Sequence, residues 1–99
     1  MAYIGEQIDA NLSAAAGDDP ELFRALGLAF AESARRQLDL LERSRCDGNW
    51  HVAALRLKSI AATFHAPDLL ALADEAADGA PGDPAVLRRI ARVLADYPV

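Results

Sequence analysis

Two histidines and one cysteine are the side chains of this sequence best suited to nucleophilic or metal chemistry. His51 falls within a helical pattern, His65 directly precedes the Ala66-Pro67 break, and Cys46 is followed by Asp47. These residues do not have the spacing of a zinc site, so we predict no metal and no cofactor. A single cysteine also cannot form an internal disulfide, and nothing in the chain requires an oxidising compartment.

His51 is the better placed of the two histidines for accepting a phosphoryl group. We expect it in the first turn of a helix, where the helix dipole favours a neutral imidazole and would favour an attached phosphoryl group. The other interpretation, an ordinary exposed histidine near a helix start, is the one we favour. For His65, at the end of the same helix, we predict a structural interaction with the helix C-terminus.

The elements that carry these residues are predicted to be helices in one domain spanning residues 1–99. Alanine and leucine dominate a chain that is 53% hydrophobic and only 6% aromatic, and no alternating strand pattern persists. Breaks at 17–18, 47–48, 66–67 and 79–82 separate five predicted helices. The first covers about 3–16, and the others begin at Asp19-Pro20, near Asn49, at Pro67 and at Asp83-Pro84. Short connections then predict an all-α fold, an antiparallel up-and-down four-helix bundle with an additional short N-terminal helix.

The predicted helix over residues 49–64 has an unusual outward face. Its core-facing positions follow helical spacing, and they are Trp50, Ala53, Ala54, Leu57, Ile60, Ala61 and Phe64. Leu55 falls roughly 165° from the centre of that stripe, so it should be exposed. We call the outward residues the Leu55 face, and they are His51, Val52, Leu55, Arg56, Lys58, Ser59 and Ala62. A small apolar patch with few charges around it indicates a contact surface for a partner.

Basic residues of the preceding helix could frame this face. Arg35, Arg36, Arg43 and Arg45 concentrate in the middle of the chain, although each is expected to be solvated. They would border the Leu55 face if the two helices lie side by side.

The same region resembles a known signature. The stretch Ala54-Leu55-Arg56-Leu57-Lys58-Ser59, followed by Phe64-His65-Ala66 and Leu69, is similar to that of histidine-containing phosphotransfer (HPt) domains. That family's pattern is Ala-His-x-Leu-Lys-Gly, then a Gly-Ala pair six residues on, then a leucine. The resemblance extends to the Asp-Pro-Glu-Leu opening at residues 19–22, Phe30 and Trp50, and covers nearly the whole chain. It implies a cytoplasmic four-helix bundle that passes phosphoryl groups between receiver domains, or from kinases, through an exposed histidine.

The chain departs from the pattern at the position that carries the chemistry. Leu55 stands where the family has its phosphorylated histidine, and Ser59 and His65 replace the two glycines. Leucine has no lone pair to attack phosphorus, so the family reaction cannot occur at this position. Lys58 matches the lysine that, in the family, helps to neutralise the phosphoryl oxygens. The resemblance therefore implies a docking or regulatory module for a receiver domain or histidine kinase, with enzyme activity not expected.

Charge and hydropathy limit the other partners. The chain has 10 basic and 15 acidic residues, a net charge of −5, which disfavours nucleic acid because phosphate neutralisation needs a clustered basic face. No apolar run reaches the about 18 residues of a membrane span, and the N-terminus has no basic start of a secretory signal. We therefore expect a cytoplasmic protein.

Two alternatives stay open on the sequence alone. One is an active phosphotransfer protein that uses His51 in place of Leu55. The other is a helical interaction protein unrelated to phosphorelay, either a monomer or a weak homodimer that closes the Leu55 face against a second copy.

Overall fold

The computed structural model describes residues 14, 16, 17 and 19–96. Across these residues it contains four helices and no strand: α1 (Pro20–Arg43), α2 (Asp47–Thr63), α3 (Pro67–Asp78) and α4 (Pro84–Ala95). The prediction of an all-α chain is confirmed for this part. The predicted N-terminal helix over residues 3–16 lies outside the described residues, apart from Ala14 and Ala16.

The helix starts follow the local sequence closely. Asp19 caps α1 by accepting hydrogen bonds from the amides of Glu21 and Leu22, at 3.0 and 3.3 Å. Asp83 caps α4 through the amide of Ala85 at 3.0 Å. In both helices a proline follows the cap, where its missing N–H costs nothing and its fixed φ suits the first helical position.

The start of α2 differs from the prediction by two residues. The helix begins at Asp47 rather than near Asn49, with extended Cys46 as its N-cap residue. The Asp47-Gly48 pair, which the sequence pattern predicts to be a break, instead forms the first turn. An acidic side chain there is favoured by the helix dipole, which offsets the low helix propensity of the glycine.

Each of the four helices packs against two others. Helix α2 packs between α1 and α3, and α4 packs against both α3 and α1. Trp50 near the start of α2 contacts Ala76 near the end of α3, whereas Lys58 contacts Asp74, so these helices run in opposite directions. The described part of the chain is therefore an all-α bundle of four helices.

The core combines a few large side chains with many alanines. The largest fully buried side chains are Trp50, Phe30, Leu41, Leu57, Leu69, Ile90 and Val86. Phe30 also packs against the half-buried Phe64, with ring centroids 5.1 Å apart. Alanines fill most of the remaining core positions and let the helix backbones approach closely. None of the helices in the described residues is long and apolar enough to cross a membrane.

Candidate functional site

Helix α2 presents neighbouring leucines to opposite environments. Leu57 is completely buried in the core, whereas Leu55 is 42% exposed and Val52 is 45% exposed. The predicted core stripe is buried as well, except that Ile60 and Phe64 are half-buried. Packing of α1 and α3 on one side of α2 fixes this orientation, and Leu55 therefore points to solvent as its helical position predicts.

The structure separates the residues of the Leu55 face. Val52, Leu55, Arg56 and Ser59 line a depression between α1 and α2. The other three members of the face lie elsewhere. His51 borders a small cleft beside Gly79 and Pro81, Ala62 lines a cleft beside His65 and Leu70, and the side chain of Lys58 reaches α3.

The depression between α1 and α2 is part of a longer concave surface. Two open depressions adjoin here and share Val52 and Arg56 in their linings. We call this longer surface the α1–α2 groove, and its lining residues are Gln37, Leu40, Arg43, Ser44, Asn49, Val52, Ala53, Leu55, Arg56, Ser59 and Ile60.

Sequence reasoning largely missed the residues that α1 contributes to this groove. Of the four arginines expected to frame the Leu55 face, Arg43 lines the groove. Arg35 lies instead towards α4, where its guanidinium donates a 3.4 Å hydrogen bond to the carbonyl of Leu94. Gln37, Leu40 and Ser44 were not identified, although their spacing of three and four residues would have shown a shared side of α1.

Charge is unevenly distributed along the α1–α2 groove. Among the described residues two arginines line it, and no aspartate or glutamate does. The Arg43 guanidinium pairs with Asp39 one turn earlier on α1, and both side chains are largely exposed. Arg56 is exposed and forms no ion pair within the described residues. Among the described residues Arg56 thus gives the groove one unpaired positive charge, on a chain of net charge −5.

Gln37 adds an unpaired polar atom to the same groove. Its side chain is buried, with only 8% of the residue exposed, and it lines the cavity beside Leu55 and Ile60. The carboxamide Oε1 is buried and accepts no hydrogen bond from the residues that the structure describes. Because buried acceptors are almost always paired in folded proteins, this atom needs an explanation.

The side chain of Lys58 is bonded to a neighbouring helix. Its Nζ donates a 2.9 Å hydrogen bond to Asp74 Oδ1 on α3. That hydrogen bond, together with the charge of Asp74, raises the pKa of Lys58 above its usual value. The ammonium group therefore faces α3 rather than the α1–α2 groove.

The structure corrects the expected setting of His51. Because α2 begins at Asp47, His51 lies past the first turn that was predicted for it. The amide of Trp50 already donates to the carbonyl of Cys46, so the free amides of the helix start precede His51. The dipole argument for phosphoryl binding at His51 loses its basis, and what remains is an exposed histidine at the edge of a small cleft.

His65 has a backbone role at the end of α2. Its φ is +54°, in the left-handed region, and its amide donates to the carbonyl of Ala62 at 3.2 Å. The next amide, of Ala66, donates to the carbonyl of Ala61 at 2.8 Å. This pair of bonds is the Schellman motif, whose left-handed residue is most often glycine. The predicted interaction of the imidazole with the helix C-terminus stays a prediction, and what the structure shows for His65 is this backbone conformation.

The described part of the chain holds no group of three or more histidine, cysteine or acidic residues placed for a metal ion.

Comparison of the sequence and structure with protein-family models, curated proteins and solved structures finds no match. Function is therefore inferred from the geometry above and from the sequence resemblance.

Proposed function

We propose that this domain is a cytoplasmic HPt-like module of two-component phosphorelay signalling, which docks a receiver domain or a histidine kinase and carries no phosphoryl group itself. One observation carries the proposal. Leu55, which matches the family's phosphorylated histidine in the sequence, is exposed on a helix within a bundle of four. A leucine there keeps an apolar contact surface and removes the nucleophile.

The geometry at the end of α2 gives independent support for the resemblance. The family pattern has a glycine where this chain has His65, and His65 adopts the left-handed conformation that glycine adopts most easily. The resemblance therefore covers the backbone conformation at this position as well as the residue types. Histidine is among the residues that tolerate this conformation better than most, so the substitution is compatible with the same turn.

The surroundings of Leu55 also argue against retained chemistry. The one matching cation, Lys58, is engaged by Asp74. His51 is a full turn before Leu55 and has lost the free amides expected beside it. A docking role needs none of these groups, since it depends on the exposed apolar residues Val52 and Leu55.

Restoring the histidine tests the family assignment. We would incubate wild type, Leu55→His and Val52→His with a phosphorylated receiver domain and read intact mass at neutral and acidic pH. Val52→His is the matched control because Val52 is as exposed as Leu55 and lies one turn earlier on the same helix. The expected result is an acid-labile phosphoryl group on Leu55→His only.

The other outcomes of this experiment contradict the proposal. Labelling of wild type, lost in His51→Ala, would establish an active phosphotransfer protein. Absence of label on Leu55→His with every receiver domain of the source organism would reject the HPt assignment.

Docking itself is tested by calorimetric titration of unphosphorylated receiver domains and kinase dimerisation domains against wild type and Leu55→Glu. The expected result is binding that Leu55→Glu abolishes while helicity is unchanged. Sedimentation over a range of concentrations addresses the homodimer alternative. A mass that doubles with concentration, and does so only with Leu55 intact, would favour that alternative over docking.

A further inference from the structure

The α1–α2 groove has a chemistry that differs from the rest of the molecule. The chain is acidic, yet of the charged residues in the part of the chain that the structure describes, only Arg43 and Arg56 line the groove. Arg56 has no ionic partner in the described residues, and the partner of Arg43 is an exposed aspartate on its own helix. An exposed guanidinium is suited to paired hydrogen bonds with a carboxylate. The groove therefore complements negative charge.

Between the arginines the groove is apolar. Leu40, Val52 and Leu55 are each between 37% and 45% exposed, and they line the groove from both helices. Along α2 the lining runs from Asn49 to Ile60, about 16 Å at the rise of an α-helix. That length matches three turns of a partner helix lying along the groove.

Gln37 indicates that the groove is built for a polar contact as well. Its buried Oε1 has no donor among the described residues, and an apolar side chain of the same shape would avoid that cost. The terminal torsion of glutamine is soft, so rotation about it would present the oxygen to the depression beside Leu55. A donor from a bound partner would then satisfy the oxygen.

We propose that the α1–α2 groove binds an acidic amphipathic helix of a partner protein. Its apolar side chains would contact Leu40, Val52 and Leu55, its carboxylates would pair with Arg43 and Arg56, and a polar side chain would donate to Gln37. The proposal rests on the proposed function for the choice of this surface and adds the chemistry of the partner. A second copy is disfavoured, because a symmetric interface centred here brings arginines towards arginines.

Two synthetic helical peptides test the charge preference. Both carry leucines at the same helical spacing, and the remaining positions are glutamate in one and lysine in the other. We expect fluorescence anisotropy to detect binding of the glutamate peptide alone, weakened by added salt. Arg56→Ala should weaken it about two- to fivefold. Arg88→Ala, at an exposed arginine on α4, is the matched control and should have no effect. Equal binding of both peptides, or of neither, would overturn the proposal.

Gln37→Met tests the polar contact, because methionine has nearly the shape of glutamine. We expect a higher melting temperature, since the unpaired acceptor is gone, together with about tenfold weaker binding of the glutamate peptide. Leu38→Met, at the next position and away from the groove, should leave affinity unchanged. Unchanged affinity in a folded Gln37→Met protein would remove Gln37 from the binding site and contradict the proposal.

Failure of this inference and failure of the proposed function give different results. If receiver domains bind in a manner that requires Leu55 but is indifferent to Arg56→Ala and Gln37→Met, the docking function holds and the acidic-helix inference is wrong. If the glutamate peptide binds as described but no receiver or kinase domain does, the groove chemistry holds and the phosphorelay assignment is wrong.

Discussion

The ammonium group of Lys58 lies 2.9 Å from the Asp74 carboxylate, so the lysine that the HPt resemblance links to phosphate neutralisation is paired with α3. Both side chains are roughly half exposed, at 42% and 56%. Such a pair contributes little to stability, because water screens it and two long side chains lose freedom. The main effect of the pair is that it orients the Lys58 side chain towards α3.

The first prediction concerns competition between Asp74 and a phosphoryl group. In the Leu55→His background, Asp74→Asn should release Lys58 and raise the yield of phosphorylated protein about threefold, a value typical of one exposed ion pair. Intact mass after a fixed reaction time measures the yield. Asp68→Asn, at an exposed carboxylate of α3 that forms no ion pair within the described residues, is the control. An equal yield in both would show that the pair does not restrain Lys58.

The second prediction is the pH dependence of the same pair. The hydrogen bond from Lys58 to Asp74 raises the lysine pKa above its usual 10.5. A raised folded-state pKa gives stability that is fully present below 10.5 and is lost as pH rises through the folded-state value. We therefore expect the melting-temperature difference between wild type and Lys58→Met to be constant up to about pH 10 and to shrink above it. A difference that grows with alkaline pH would contradict this assignment.

The third prediction compares the two leucines of α2. Leu57→Ala should lower the free energy of unfolding by about 2–5 kcal/mol, because it empties part of a closed core. Leu55→Ala should change it by less than about 1 kcal/mol, since the side chain is exposed. Urea denaturation followed by circular dichroism measures both. Similar losses at the two positions would place Leu55 in the core and remove it from the proposed docking surface.

The fourth prediction concerns the buried hydrogen bond between α2 and α3. Trp50 Nε1 donates to the carbonyl of Ala76 at 2.7 Å, and both residues are buried. Trp50→Phe should cost about 2–4 kcal/mol, because it leaves that carbonyl unpaired and the core underfilled. Leu41→Val removes one methylene group from the same core without breaking a hydrogen bond and should cost only about 1 kcal/mol. Equal costs would mean that the indole bond adds nothing.

The fifth prediction isolates the backbone conformation of His65. His65→Gly and His65→Ala both remove the imidazole, so their difference reflects the left-handed φ of +54°. The glycine variant should be about 1 kcal/mol more stable in thermal or urea unfolding. Ala71, exposed within α3, is the control position, where glycine should be about 1 kcal/mol less stable than alanine. The same preference at both positions would argue against the left-handed turn.

Several features of the fold could be predicted from the local sequence, because they depend only on residues that are close together in the chain. Each Asp-Pro pair supplies a side-chain acceptor and a fixed φ within two residues, so the starts of α1 and α4 needed no tertiary information. Helical periodicity likewise separated buried Leu57 from exposed Leu55. The start of α2 was placed two residues late because a glycine in a first turn looks like a break.

The sequence by itself determined which residues share a face of each helix, whereas the tertiary structure decided which other residues each face contacts. A helical pattern fixes angles around its own axis and carries no information on where a neighbouring axis lies. The partner of Lys58 is 16 positions away on α3, and Gln37 joins Leu55 only because α1 packs beside α2. Packing thus separated the residues of one predicted face, and it created the groove that carries the proposals.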